Sequence, residues 1–183
     1  VRPPVAALLA GAFVKHIGNV VGEARKHFHG LKVAIPELRG FVLIDQTAGA
    51  LEAHPDLRER MWQRREIENY LMHPAVLRRL CTKLVTQEME LFGARAANAA
   101  DDLLRKRMTA DDYANPLGDS ATMKDIRGSA FLEEFFRDFF KGFRLYNAMP
   151  KREFYQIAAE MKPEEVHPEV LDVLDAIGEV LKG

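Results

Sequence analysis

The chain has 183 residues, of which 48% are hydrophobic and 29% charged, with a formal net charge of −1. A chain of this length buries about 70% of its unfolded surface, enough for one domain or a compact core with an appendage; its near-neutral balance excludes a globally basic nucleic-acid coat protein, while leaving room for a local basic patch. The single cysteine, Cys81, excludes an internal disulfide and points to a reducing, cytoplasmic setting, and no apolar run reaches the ~20 residues of a membrane span, so no membrane partner is expected.

The alanine-rich run Val5–Val14 lacks the charge and cleavage pattern of a signal peptide. The chain opens on Val1 rather than Met, which fits a piece of a longer polypeptide and equally a processed N-terminus. Ala12–Ile17 is a short β-compatible run closed by Gly18-Asn19. From Val20 to about Ala34 the spacing of Val20, Ala24, Phe28, Leu31 and Ile35 predicts a helix that Pro36 ends. Gly40-Phe41-Val42-Leu43-Ile44-Asp45 reads as a strand buried on both faces of a parallel sheet, so residues 12–45 have the size of one βαβ unit. A further strand is predicted over Glu59–Arg65.

After this the texture becomes helical. Pro74 stands at the first position of a helix expected to run to about Phe92. In it, Val76, Leu77, Leu80 and Leu84 make Cys81 a buried structural thiol. Ala94–Met108 continues as helix, and Thr109-Ala110-Asp111-Asp112 resembles a capping box with Asp in the Glu position. Asn115–Asp119 is a loop. Ser129–Phe143 is the best-marked helix, with Phe131, Phe135, Phe139 and Phe143 four apart and Phe136 and Phe140 widening the stripe into a core or helix–helix surface. Helices over Lys151–Met161 and Pro168–Leu181 follow. The expected fold class is α/β, a partial parallel-sheet core at 1–72 followed by a mostly α-helical C-terminal extension at 73–183.

Two places can carry chemistry. Asp45 sits at the carboxyl end of a strand, where open α/β sheets place ligands, and a carboxylate there either binds a hard divalent cation or caps the following turn. Gln46-Thr47 adds no second carboxylate. The octet Arg64-Arg65-Glu66-Ile67-Glu68-Asn69-Tyr70-Leu71 is either a solvated junction of weak ion pairs or a set in which arginine meets phosphate and glutamate steadies a metal. His27 and His29 are two apart and face different ways on a helix, the other histidines are scattered, and no nucleotide-binding loop of the GxxxxGK[ST] type occurs.

Gly18-Asn19-Val20, Leu38 to Asp45 and Arg64 to Leu71 together resemble the later part of a Toprim domain of OLD-like (overcoming-lysogenization-defect) proteins, in which an ATPase precedes a Toprim nuclease. Residues Lys124 to Phe131 and Lys151 to Ala158 resemble the tail that follows, less specifically. The resemblance covers about a third of the chain. It implies a partial Toprim-like sheet and a parent endonuclease that cleaves DNA with Mg²⁺ or Mn²⁺, with ATP on a domain absent from this chain and a role in defence. Asp45 then takes the metal-binding and catalytic position, with Glu66 and Glu68 in catalytic support and Arg64, Arg65 and Lys124 against phosphate. Thr47 stands where the family carries a second Asp, and the first-strand glutamate falls before this segment, so the chain alone is expected to be inactive.

The partners so implied are DNA, the ATPase domain of the same polypeptide and a homodimer through helices. Two alternatives remain. One is a non-catalytic regulatory or dimerisation module that uses the phenylalanine-rich helix as its surface. The other is a nucleic-acid-binding domain without cleavage, with a basic face built from Arg58, Arg60, Arg64, Arg65, Arg78 and Arg79.

Overall fold

A computed structural model describes residues 9–47 and 49–182. Residues 5–8 of the Val5–Val14 run lie outside these. The fold is α/β, with a two-stranded parallel sheet and a mostly helical C-terminal part. It divides into two compact units. The first runs to Gln63 and resumes at Pro168; the second is Arg64–His167.

In the first unit, α1 (Val21–Ala34) precedes β1 (Gly40–Ile44) and β2 (Leu57–Met61), which pair in parallel with Gly40 beside Leu57 and Ile44 beside Met61. Ala24 and Phe28 on α1 bury against Val42, Ile44 and Leu57. Gly40 is required where these meet. A Cβ there would come 2.7 Å from Leu57 Cδ1 and 2.9 Å from the Phe28 ring. Parallel strands need a long crossover that is usually a helix, yet the described residues between β1 and β2 are irregular. Arg25 replaces that helix as the tie. Its guanidinium binds both oxygens of Glu59 at 2.7 and 2.8 Å, Glu52 at 2.6 Å and the Ala50 carbonyl at 2.9 Å. Glu52 N–H in turn donates to Glu59. The last helix, α8 (Pro168–Leu181), packs along β1 and buries Val173 and Ala176. Its Glu169 accepts from Gln63 N–H at 2.8 Å.

The second unit holds α2 (Pro74–Glu88), α3 (Gly93–Arg107), the short α4 (Ala110–Ala114) and α5 (Ala121–Asp125), then α6 (Gly128–Phe143) and α7 (Tyr155–Glu160). Ala96, Ala97 and Ala100 give α3 a small-residue face that lets α2 approach closely. All six phenylalanines of α6 are buried in this unit's own core with Leu77, Leu80, Cys81 and Leu104. The stripe is therefore core, and it is not exposed for a partner. Thr109 caps α4 by accepting from Asp112 N–H, as its sequence pattern predicts.

Three expectations are corrected. Ala12–Ile17 is not a strand; the run has no sheet neighbour, and an isolated strand leaves its backbone unpaired. The βαβ unit over 12–45 is therefore absent, and β1 pairs with β2 instead. That strand occupies Leu57–Met61 rather than Glu59–Arg65, because Arg64 turns into the core of the second unit. The helix predicted over Lys151–Met161 is a 3-10 turn at Lys151–Glu153 followed by α7.

Candidate functional site

Asp45 closes β1, and Gly18-Asn19 reaches it from the N-terminal side of α1. Both residues have left-handed backbones, with φ of 59° and 62°. Glycine adopts that region freely and asparagine tolerates it. The pair of left-handed residues aims the Asn19 carboxamide at the strand end. Its Nδ2 donates to Asp45 Oδ2 at 2.7 Å and its Oδ1 accepts from Asp45 N–H at 3.1 Å. Asp45 is thus half-buried and held at a fixed angle at the carboxyl end of a strand.

Mg²⁺ or Mn²⁺ requires several oxygen ligands, with carboxylates the strongest. Among the described residues no three His, Cys, Asp or Glu side chains are grouped to hold a metal ion. Thr47 spends its hydroxyl on Gly49 N–H at 3.1 Å. The described residues do not by themselves fit a divalent cation.

The octet belongs to the second unit, and nearly every polar group in it is engaged there. Arg64 is 1% exposed. Its guanidinium donates to the carbonyls of Asn69, Pro116 and Gly118 at 3.2, 3.3 and 2.8 Å, lies 5.1 Å from the Tyr70 ring centroid and sits 3.6 Å from Asp119. The Arg64 N–H donates to the Tyr70 hydroxyl. So enclosed, the guanidinium presents no face to a phosphate. Asn69 is fully buried and uses all four of its hydrogen-bonding positions. It donates to the Met123 and Ile126 carbonyls at 2.9 and 2.8 Å and accepts from Glu66 and Gly128 N–H at 3.1 and 3.2 Å.

Glu66 caps α6, accepting from Ser129 N–H at 2.9 Å and Ser129 Oγ at 2.6 Å, with Arg127 Nε at 3.3 Å. Burial alone would raise its carboxyl pKa, but the two Ser129 bonds and Arg127 outweigh it and leave the group below the usual carboxylate range. Glu68 pairs with Lys151 at 3.1 Å. Burial opposes the Lys151 charge, yet the Glu68 carboxylate holds its pKa above the ordinary lysine value. Arg65 is exposed and donates to the Asp125 carbonyl at 3.1 Å, while its N–H bonds the Lys124 carbonyl at 2.9 Å. The Lys124 side chain is half-buried.

The structure therefore brings Arg64, Arg65, Glu66, Glu68 and the Lys124 backbone together as the joint of the second unit, and it places Asp45 with Asn19 in the first. The sequence did not mark Asn19 as the partner of Asp45, although Gly18-Asn19 is a recognisable left-handed turn signal. Ser129 and Asp119 were likewise unmarked, because each meets its partner in the octet more than 50 residues away, and Asn69, inside the octet, carries no marked role of its own because its Met123 and Ile126 partners are as distant. The six arginines proposed as a basic face are dispersed in role. Arg58 pairs with Glu179, Arg78 with Asp101 and Arg79 with Glu165. Among the described residues no helix is long and apolar enough to cross a membrane. Comparison with protein-family models, curated proteins and solved structures finds no match.

Proposed function

We propose that the chain is part of a Toprim-like domain in an OLD-like, ATPase-coupled DNA nuclease, and that it does not cleave DNA by itself. The observation that carries this reading is the Asn19 clamp on Asp45 at the carboxyl end of β1, since a carboxylate fixed at that point of an open α/β sheet is where ligands bind. Asp45 is the one acidic group the chain would contribute to a Mg²⁺ or Mn²⁺ site, with the remaining ligands and the ATP-binding domain supplied by other parts of the polypeptide. Arg64, Asn69 and Glu66 build the protein rather than touch substrate.

The test is plasmid cleavage by the full-length parent with ATP and Mg²⁺ or Mn²⁺, beside Asp45→Ala. Cleavage lost in the variant, with folding intact, supports the reading; undiminished cleavage removes Asp45 from the site. A second reading, a regulatory module that has lost its chemistry, is favoured by Glu66 and Glu68 being engaged with Ser129 and Lys151 and by Thr47. Absence of cleavage by a folded, ATP-supplied parent would select it.

A further inference from the structure

His73 stands where α2 begins, as the N-cap residue of that helix. Its N–H donates to the Leu71 carbonyl at 2.9 Å, and its carbonyl accepts from Leu77 N–H at 3.0 Å. Asn, Asp, Ser and Thr are favoured at this position because their side chains accept from the N–H groups of the first turn. The His73 side chain makes no such bond. Its neighbours Met72, Pro74, Val76 and Leu77 are buried, and His73 itself is half-buried. An imidazole therefore occupies an apolar helix start without doing the work of a cap.

The ring nitrogens show which charge state the fold accepts. Nδ1 is buried, and among the described residues it has no hydrogen-bond partner. A neutral imidazole carries its proton on one nitrogen only, whereas the imidazolium carries one on both. With the proton on Nε2, Nδ1 is an acceptor left unmet. Charging the ring would turn Nδ1 into a buried donor with nothing to receive it, on a cation withdrawn from water, and burial penalises that state further.

The electrostatic surroundings act in the same direction. Among the described residues the charged groups that bear on His73 are Arg79, further along α2, and Glu165, on the 3-10 turn Pro163–Glu165. Glu165 attracts a proton to the ring, but its carboxylate already accepts two bonds from Arg79 and one from Lys162 N–H. Arg79 repels it. The partial positive charge at the N-terminus of this 15-residue helix disfavours a cation at the cap as well. Burial is the largest influence, and with Arg79 it outweighs Glu165, holding the His73 pKa below the ordinary histidine value of 6.5.

We infer that His73 is an acid-sensitive latch, whose protonation frees the first turn of α2 from the turn Pro163–Glu165 that Arg79 and Glu165 otherwise hold to it. The direction follows from linkage. A group whose folded pKa lies below its unfolded value contributes stability above the unfolded value, and loses it as pH falls through the folded one. The window thus opens at 6.5 and extends downward, above the range in which the Glu165 carboxyl titrates. Neither metal nor DNA enters, so the latch stands or falls apart from the nuclease reading.

The experiment is urea unfolding of the whole chain between pH 8 and pH 5, with wild type, His73→Gln and His73→Asn, beside amide hydrogen exchange at the two ends of that range. From pH 7 to pH 5 the folding constant of the second unit should fall about 3-fold or more in wild type relative to either variant. Exchange, corrected for its intrinsic pH dependence, should rise in wild type over the first turn of α2 and over residues 163–165, and stay unchanged there in the variants. Asparagine is a favoured cap, so His73→Asn keeps the comparison available if His73→Gln fails to fold. Parallel pH profiles for wild type and variants overturn the inference, as does an exchange increase spread evenly over the unit. A wild type that gains stability over the variants in acid also overturns it, and makes His73 a second counter-ion for Glu165. The His73 Cε1–H resonance of the wild type gives a check that needs no variant: it should titrate with a midpoint below 6.5, and a midpoint at or above that value overturns the latch.

Discussion

Asn69 shows how a single side chain sets the stability of the second unit. It sits at 0% exposure with two carbonyls and two N–H groups as partners. Its removal leaves the Met123 carbonyl and Gly128 N–H buried without it and the half-buried Glu66 N–H and Ile126 carbonyl to find water, and each buried unsatisfied group costs about 1–3 kcal/mol unless water enters. Gly128 reports on the same point from the other side, since a Cβ there would fall 2.5 Å from Asn69 N and 2.7 Å from the Glu68 carbonyl carbon. Those atoms are backbone and cannot swing aside. Asn69→Ala should therefore destabilise the unit by about 3 kcal/mol or more, and Gly128→Ala should do comparable damage by displacing the same turn. Urea denaturation followed by far-UV circular dichroism measures both. A change below about 1 kcal/mol for Asn69→Ala would show that water replaces the carboxamide and that the octet is not the joint described.

Between elements, the clearest tie is the pair Arg79–Glu165, which joins α2 to the 3-10 turn at Pro163–Glu165. Arg79 contacts both Glu165 oxygens, at 2.9 and 2.7 Å, and Lys162 N–H adds a bond at 2.8 Å. The Arg79 bonds are the main cause holding the Glu165 carboxyl down from 4.5 to about 2; burial works against them and the Lys162 N–H supports them. A carboxyl depressed in the folded state adds stability above its unfolded pKa and loses it as pH falls through the folded value. The window is thus pH 4.5 down to about 2, and the contribution at neutral pH is up to about 3 kcal/mol at 1.36 kcal/mol per unit. Glu165→Gln should be less stable than wild type at pH 7, and the gap should close steadily below pH 4.5. A gap that persists unchanged at pH 2.5 would assign the loss to packing. The elements themselves were legible wherever their signals were local. Pro74 and Pro168 start helices where the sequence places them, Thr109 caps α4, and the phenylalanine period marks α6. The Asp45 strand was legible for the same reason, as a continuous apolar run. What escaped was non-local. Ala12–Ile17 has strand composition but no sheet neighbour, and the octet has surface composition but buries Arg64, Asn69 and Tyr70, because the carbonyls of Pro116 and Gly118 that receive Arg64 lie about 50 residues further on.

At the scale of the whole molecule, the division of the core predicts a division of folding. The larger core cluster, from Met72 to Ile157, lies wholly within Arg64–His167. Among the described residues the first unit's core cluster is small, Ala24, Phe28, Val42, Ile44 and Leu57 around two strands, and it recruits α8 from the far end of the chain. Its four larger apolar side chains, at about 1.5–3 kcal/mol each, contribute about 6–12 kcal/mol together, against roughly 1–2 kcal/mol of backbone entropy for every residue ordered. A two-stranded sheet with so small a core does not persist without further cover. A fragment of residues 64–167 should therefore fold alone and unfold in urea as one sigmoidal transition. A chain ending at His167 should keep that transition, while losing α8 makes its first 63 residues open to limited proteolysis. If the 64–167 fragment instead melts without a cooperative transition, the second unit depends on the rest of the chain, and the octet is then a joint of the whole protein rather than of one half.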